Sequence, residues 1–139
     1  MSDRLMLDEL VDAVALDLAS ARPADPLAPA GSSATAFLAE GNSFAYAAYL
    51  DNAVAGGFWG VRIRHPAGSI SVEVVELYVL ATARGRGIGS LLIESASAHA
   101  RREGAAELFM RAGPDLAAMA IHLAATPDPD GSMVRWTFG

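Results

Sequence analysis

Six consecutive residues, Arg84-Gly85-Arg86-Gly87-Ile88-Gly89, bring three glycines and two cations to one bend of the chain. Glycine lets the backbone turn sharply, and with no β-carbon in the way an anion can reach the N–H groups directly. Ser90 then opens a segment of helical period, whose first N–H groups and positive end would point at the same spot. This is the make-up of a phosphate cradle. Upstream stand two carboxylates, Glu73 and Glu76. A carboxylate in a partly desolvated cleft titrates closer to neutrality and suits a general base. Two other phosphate motifs are excluded: the chain has no Gly-Lys-Ser/Thr, and its glycines fall as Gly-x-Gly-x-Gly rather than Gly-x-Gly-x-x-Gly.

These groups need elements to hold them. Val72 to Val79 is rich in β-branched and aromatic residues and reads as a strand ending at Leu80. Glu73 and Glu76 are an odd number of positions apart, so on a regular strand they face opposite ways and at most one faces a cleft. In the following helix Ile88, Leu91, Leu92, Ser95, Ala96 and His99 make the core-facing stripe, with Gly104 as the stop. Before the strand, Ser43 to Leu50 and Ala53 to Arg64 form a hairpin about Asp51-Asn52, with a bulge expected at Gly56-Gly57. His65-Pro66-Ala67-Gly68 turns the chain into Val72 to Val79. After the helix, Ala106 to Arg111 is a short strand that a right-handed crossover sets parallel to Val72 to Val79. Pro114 opens a further helix with Leu116, Met119, Ala120 and Leu123 inward, stopped by Thr126-Pro127, and Met133 to Phe138 is a closing strand. At the N-terminal end, Leu7 to Ala19 keeps a helical period with no strand before it. Ala21 to Gly31 is a proline-rich loop, and Ser32 or Ser33 caps a short helix ending near Gly41. The fold class is α/β (α+β), a mixed but mostly antiparallel sheet flanked by helices.

A length of 139 residues points to one domain, and 53% hydrophobic against 19% charged residues points to a globular one. Without cysteine there are no disulfides, thiolate metal sites or thiol nucleophiles. Three scattered histidines lack metal-ligand spacing, so no metal is expected. A net charge of -6 disfavours nucleic acid as a partner and suits a cationic substrate. No apolar run is long enough to cross a bilayer, so a soluble, cytoplasmic protein without membrane contact is expected. His65 and His99 read as structural, Trp59 and Trp136 as core or interface residues, and Asp128 and Asp130 as a solvated acidic loop. The aromatic strand at the C-terminal end suggests a homodimer.

The spacing from Arg84 to Gly89 matches the (Arg/Gln)-x-x-Gly-x-(Gly/Ala) signature of the GNAT superfamily of N-acetyltransferases. The strand Glu73-Val74-Val75-Glu76-Leu77-Tyr78-Val79 resembles the one that leads into it. The resemblance covers most of Ser43 to Leu123. It implies the acyl-CoA N-acyltransferase fold and acetyl-CoA as cosubstrate, with the acetyl group passed to a primary amine of a small molecule. It further implies that Arg84, Gly85, Arg86, Gly87, Ile88, Gly89 and Ser90 wrap the pyrophosphate. Leu77, Tyr78 and Val79 would lend backbone groups to the pantetheine arm and thioester, with an N–H near Val79 meeting the oxyanion. The two parallel strands would splay to admit the acyl chain. Either Glu73 or Glu76 would be the base. On the last helix Asp115, Ala118 and His122 share a face, with Ala118 small enough for close approach of the pantetheine and His122 where the family commonly has a tyrosine acid. The family's first strand and the Gly-Phe after its last helix have no match here. The segment from Phe37 through Leu123, notably the hairpin Phe44 to Phe58 and the stretch Asp115 to His122, looks like the aminoglycoside 3-N-acetyltransferase branch, which suggests an aminoglycoside acceptor; the acidic balance suits equally an aminoglycoside, a polyamine, or a lysine or peptide amino group. The alternative is a non-catalytic acyl-CoA-binding domain that keeps the cradle alone.

Overall fold

The computed structural model describes residues 5–9, 39–111, 113–130 and 132–138. Among them, seven strands form one sheet in the order β1-β2-β3-β4-β5-β7-β6. These are β1 (Leu5–Glu9), β2 (Ser43–Leu50), β3 (Ala53–Arg64), β4 (Ile70–Val79), β5 (Glu107–Arg111), β6 (Thr126–Pro127) and β7 (Met133–Thr137). Two helices accompany them, α1 (Ile88–Arg102) and α2 (Pro114–His122). Every pairing is antiparallel except β4 with β5. The expected mixed sheet flanked by helices is therefore present, and its one parallel pair is the one that the crossover through α1 requires.

The β2–β3 hairpin turns on Asp51 and Asn52, both at positive φ (52° and 70°), as the tight primed turns of hairpins demand. Its bulge falls one residue before the expected glycines: Ala48 pairs with Gly56 and Tyr49 with Val54, leaving Ala55 unopposed. A second bulge lies between β3 and β4, where Trp59 pairs with Glu76 and Gly60 with Val74. Val75 is the extra residue.

One face of the sheet packs on α1. Phe44, Tyr46, Phe58, Val72, Val74, Leu108, Met110 and Val134 meet Ile88, Leu92, Ile93, Ala96 and Ala100 there. The buried stripe of α1 thus runs through Ile93 and Ala100, while Leu91 and Ser95 are only half-buried. Ser95 instead satisfies its hydroxyl on the Leu91 carbonyl at 2.7 Å. A smaller cluster of Ala45, Ala47, Tyr49, Val54 and Trp59 occupies the other face.

Two expectations are corrected here. Leu5–Glu9 is a strand paired with β2, so Leu7 lies inside a first strand and does not start a helix. Its Leu7 packs against the main core while Leu5 and Met6 are exposed, an edge strand too short for alternation to betray it. The continuation of the expected helix to Ala19, the proline-rich loop and the short helix to Gly41 lie, apart from their last few residues, outside the described residues. The second correction concerns the C-terminal strand. β7 is an interior strand between β5 and β6, and Trp136 is 7% exposed with its indole N–H donating to the Leu123 carbonyl at 3.0 Å. An exposed aromatic strand is thus no ground for a dimer.

His99 is structural, as expected. It is 6% exposed, its ring stands 4.2 Å from that of Phe44, and its Nδ1 lies 2.7 Å from the Tyr46 hydroxyl. Arg102 donates to that hydroxyl oxygen at 3.0 Å, which directs the phenolic hydrogen to Nδ1 and assigns the ring hydrogen to Nε2. Burial lowers the pKa of His99 below 6.5, outweighing the opposing pull of Glu103. The unfolded chain then takes up this proton first as pH falls. Stability from the neutral ring is present above about pH 6.5 and is lost as pH drops through the folded pKa. Wild-type protein should therefore lose melting temperature relative to His99→Gln between about pH 7.5 and 5. Parallel curves for the two proteins would refute this.

Candidate active site

β4 and β5 pair only from Ser71↔Glu107 to Val74↔Met110. Beyond Val74, β4 runs on to Val79 with no β5 residue opposite it. The closed end is fastened by side chains: Ser71, 2% exposed, donates to Glu107 at 3.0 Å and lies 2.8 Å from His65 Nε2, and Arg135 of β7 donates to Glu107 at 2.7 Å. Burial of Glu107 raises its pKa, yet the hydrogen bonds from Arg135 and Ser71 and the charge of Arg135 prevail and hold it below the usual carboxylate value. His65 is thus structural too.

At the open end a cleft of about 390 Å³ is lined by Leu77 and Val79 of β4, by Ala83, Arg84, Gly85 and Gly87 of the loop, by Ile88 and Gly89 of α1, and by Leu116 and Met119 of α2. Gly85 and Gly87 hold φ of 81° and 77°, the left-handed region that favours glycine. Gly87 is the N-cap of α1, so the N–H groups of Ile88, Gly89 and Ser90 have no intrahelical acceptor and open into the cleft mouth. Gly89 is where three elements converge: a β-carbon there would stand 3.0 Å from the Met119 sulfur and 3.8 Å from Val79 Cγ2. The loop, helix start and apolar slot fit a phosphorylated ligand with a thin flexible tail.

The peptide groups of β4 add polarity to that slot. Leu80 N–H donates to the Ala55 carbonyl of β3 at 2.8 Å. Since peptide groups alternate along a strand, those of Val79 and Leu77 point the other way, toward the gap, while Tyr78 directs its own toward β3.

The two glutamates are placed differently from expectation. Trp59 and Val61 share a face of β3, and their partners are Glu76 and Glu73, so both carboxylates lie on the same face. The bulge at Val75 cancels the odd spacing. That face, with Tyr78 beside them, is the one opposite α1. Glu73 lies in the closed part, between Val61 and Phe109, whereas Glu76 lies beyond the last β4–β5 pair.

Of the other expected residues, Arg84 and Arg86 are exposed on the loop, and Ser90 is half-buried. Ala118 is exposed on α2, and the side chain of Asp115 lies outside the described ones. His122 is the last residue of α2 and exposed; it does not line the cleft, which Met119 one turn earlier does. Leu116 and Met119 read from sequence as inward residues of a helix, and only the packing of α2 over Gly89 reveals them as cleft walls. Asp130 forms a local turn, accepting from the Ser132 N–H and hydroxyl. Among the described residues there is no group of His, Asp and Glu fit to hold a metal, and no helix long and apolar enough to cross a membrane.

A sheet parted between its parallel strands, with a glycine-lined helix start at the gap, defines an acyl-CoA N-acyltransferase fold. The model of the acetyltransferase (GNAT) family matches residues 10–125, and the chain belongs to that family. It is by class an N-acetyltransferase that uses acetyl-CoA. No curated protein sequence matches the chain. Among solved structures it is similar to Arabidopsis thaliana Naa50 in complex with a bisubstrate analogue (TM-score 0.72, 18% identity, 96% of this chain and 99% of that one). It is also similar to a ribosomal-protein-alanine N-acetyltransferase from Brucella melitensis biovar Abortus 2308 (TM-score 0.65, 21% identity, 98% and 97%). A third is an aminoglycoside acetyltransferase from an uncultured soil metagenomic sample, in complex with trehalose (TM-score 0.65, 19% identity, 86% of each chain).

Proposed function

We propose that this chain transfers the acetyl group of acetyl-CoA to a primary amine of a cationic small molecule, of the aminoglycoside or polyamine kind. The observation that carries this is the gap between β4 and β5, opening at the start of α1. The N–H groups of Gly87 to Ser90, with Arg84 and Arg86 beside them, bind the pyrophosphate. Leu77, Val79, Leu116 and Met119 enclose the pantetheine arm. The Val79 N–H, turned to the gap, polarises the thioester carbonyl; preorganised donors of this kind contribute roughly 3 kcal/mol to such transition states. Glu73 or Glu76 takes the proton that the ammonium must lose before attack. His122, at the end of α2, protonates the departing thiolate. A net charge of -6 favours a cationic acceptor, and one of the similar structures is an aminoglycoside acetyltransferase.

Isothermal titration should show acetyl-CoA binding with a Kd in the range of roughly 1 μM to 1 mM usual for enzyme substrates, and thiol release should follow on adding a primary amine. Binding with no thiol release from any of a broad set of amines would replace this proposal with a non-catalytic acyl-CoA-binding domain.

A further inference from the structure

We propose that a side-chain clasp at the closed end of the β4–β5 ladder, made by Ser71 and Glu107 and braced by Arg135 and His65, fixes how far β5 diverges from β4 and thereby restricts the enzyme to short acyl donors. Glu107 is then a positioning residue that acts through the strands and touches no substrate. This rests on the acetyl-transfer function above and adds which donors it accepts. The sheet consists of two antiparallel blocks, β1-β2-β3-β4 and β5-β7-β6, joined by four parallel pairs from Ser71↔Glu107 to Val74↔Met110. So short a seam needs pinning, since the slanted bonds of a parallel pair hold less firmly than antiparallel ones. On the face toward α1 it is lined by Val72, Val74, Leu108 and Met110, each 1% exposed or less, but apolar contact is non-directional and lets packed strands slide or rotate. Polar groups on the opposite face supply the direction. Ser71, 2% exposed, donates to Glu107 Oε1 at 3.0 Å, and Arg135 of β7 donates to Oε2 at 2.7 Å. With the single serine hydrogen used there, His65 Nε2, 2.8 Å from the Ser71 oxygen, donates its own, as both the neutral Nε2–H tautomer and the imidazolium can. Asp128 stands 3.8 Å from Arg135 Nε, and the guanidinium lies 5.3 Å from the centre of the Phe109 ring. One row of contacts thus runs from the turn before β4 across β4 and β5 to β7.

The clasp is stiff for two reasons. Burial raises the Glu107 pKa, but the hydrogen bonds from Arg135 and Ser71 outweigh it and keep the carboxylate ionised at neutral pH, so both bonds are charge-assisted. A buried hydroxyl pulled off its partner is also left unsatisfied, a cost that sliding apolar neighbours do not meet. Ser71 and Leu77 each lie three residues from Val74, where the pairing ends, which at about 3.3 Å per residue puts roughly 10 Å of strand on either side of that pivot. A shift of about 1 Å at the clasp therefore returns as about 1 Å in the gap at Leu77, a misplacement that costs an enzyme on the order of 100-fold. An acetyl group brings one methyl into the gap, and every further methylene needs more room. A site of fixed shape discriminates one methylene by about 10- to 200-fold, and a gap free to widen discriminates less.

The test compares acetyl-CoA with butyryl-CoA on the full chain, with 1,4-diaminobutane as acceptor. The two extra methylenes should lower wild-type kcat/KM by about 100-fold, and Ser71→Ala and Glu107→Gln should each cut that preference to about 10-fold or less. Ser71→Thr keeps the hydroxyl and should keep the preference. Tyr46→Phe removes a buried hydrogen bond away from the seam, the one of 2.7 Å to His99, so it should lower the melting temperature and leave the preference as in the wild type. That control separates the clasp from general loss of stability. The preference is also read without turnover, as the ratio of the two dissociation constants in titration, which should shift toward equality by about tenfold in the clasp variants. A preference unchanged in Ser71→Ala and Glu107→Gln, or relaxed as much in Tyr46→Phe, overturns the clasp and leaves acetyl transfer standing, as does a wild type that takes butyryl-CoA as readily as acetyl-CoA. A dissociation-constant ratio that relaxes in the clasp variants, while no amine of a broad set is acylated, removes acetyl transfer and leaves the clasp.

Discussion

Replacing Gly87 with valine should weaken acetyl-CoA binding by about 30- to 100-fold while leaving the protein folded. Gly87 holds φ at 77°, where a β-branched side chain costs on the order of 2–3 kcal/mol. No heavy atom stands within 4 Å of where its β-carbon would be, so the penalty is conformational and not a clash. The loop relieves it by rotating the backbone, which swings the N–H groups of Ile88, Gly89 and Ser90 away from the cleft. At 1.4 kcal/mol per tenfold, the strain transferred to the ligand accounts for the expected loss. Titration calorimetry on a variant whose melting temperature is nearly unchanged measures it. Affinity equal to the wild type would mean that the anion sits elsewhere.

Gly60→Ala should act on the fold itself. A β-carbon at Gly60 would lie 2.0 Å from the Glu73 carbonyl oxygen and 2.8 Å from Phe44 Cζ. The first is backbone of the neighbouring strand, so β3 and β4 must separate where the bulge sits. Forced overpacking of this kind costs about 3 kcal/mol, which for a domain of this size lowers Tm by roughly 10 °C. Because the same pairing sets Glu76 on the face of Glu73, kcat should also fall in protein that is still folded. A melting point within about 2 °C of wild type would show that the strands yield there without cost.

What was legible in the sequence was local. The strand, the glycine loop and the helix from Val72 to Gly104 declare themselves by residue type and spacing, and Asp51-Asn52 announces its hairpin, because each depends on neighbours along the chain. The bulge at Val75 depends instead on how β4 registers against Gly60, two strand lengths away through a turn, and nothing in the run from Glu73 to Val79 marks it. So the face of Glu76 was misjudged while its strand was not. β1 was hidden for a different reason: Leu5–Glu9 is short, and Leu7 also begins a helical period that runs on to Leu18. Met119 as a cleft wall could have been suspected only from its place one turn before His122. Its closeness to Gly89 is a matter of tertiary packing.

Among the described residues the seven strands lie side by side, with β1 and β6 as the two margins. Parting β4 from β5 halfway along creates two more, in the interior, where the amides of Leu77 and Val79 face the gap with no β5 residue opposite them. Whatever molecule enters there completes the ladder as well as filling a hole, so the cosubstrate is in effect a missing strand. Its binding must therefore tighten the whole domain by mass action, and cooperativity between the two halves of the sheet should rise with cosubstrate concentration.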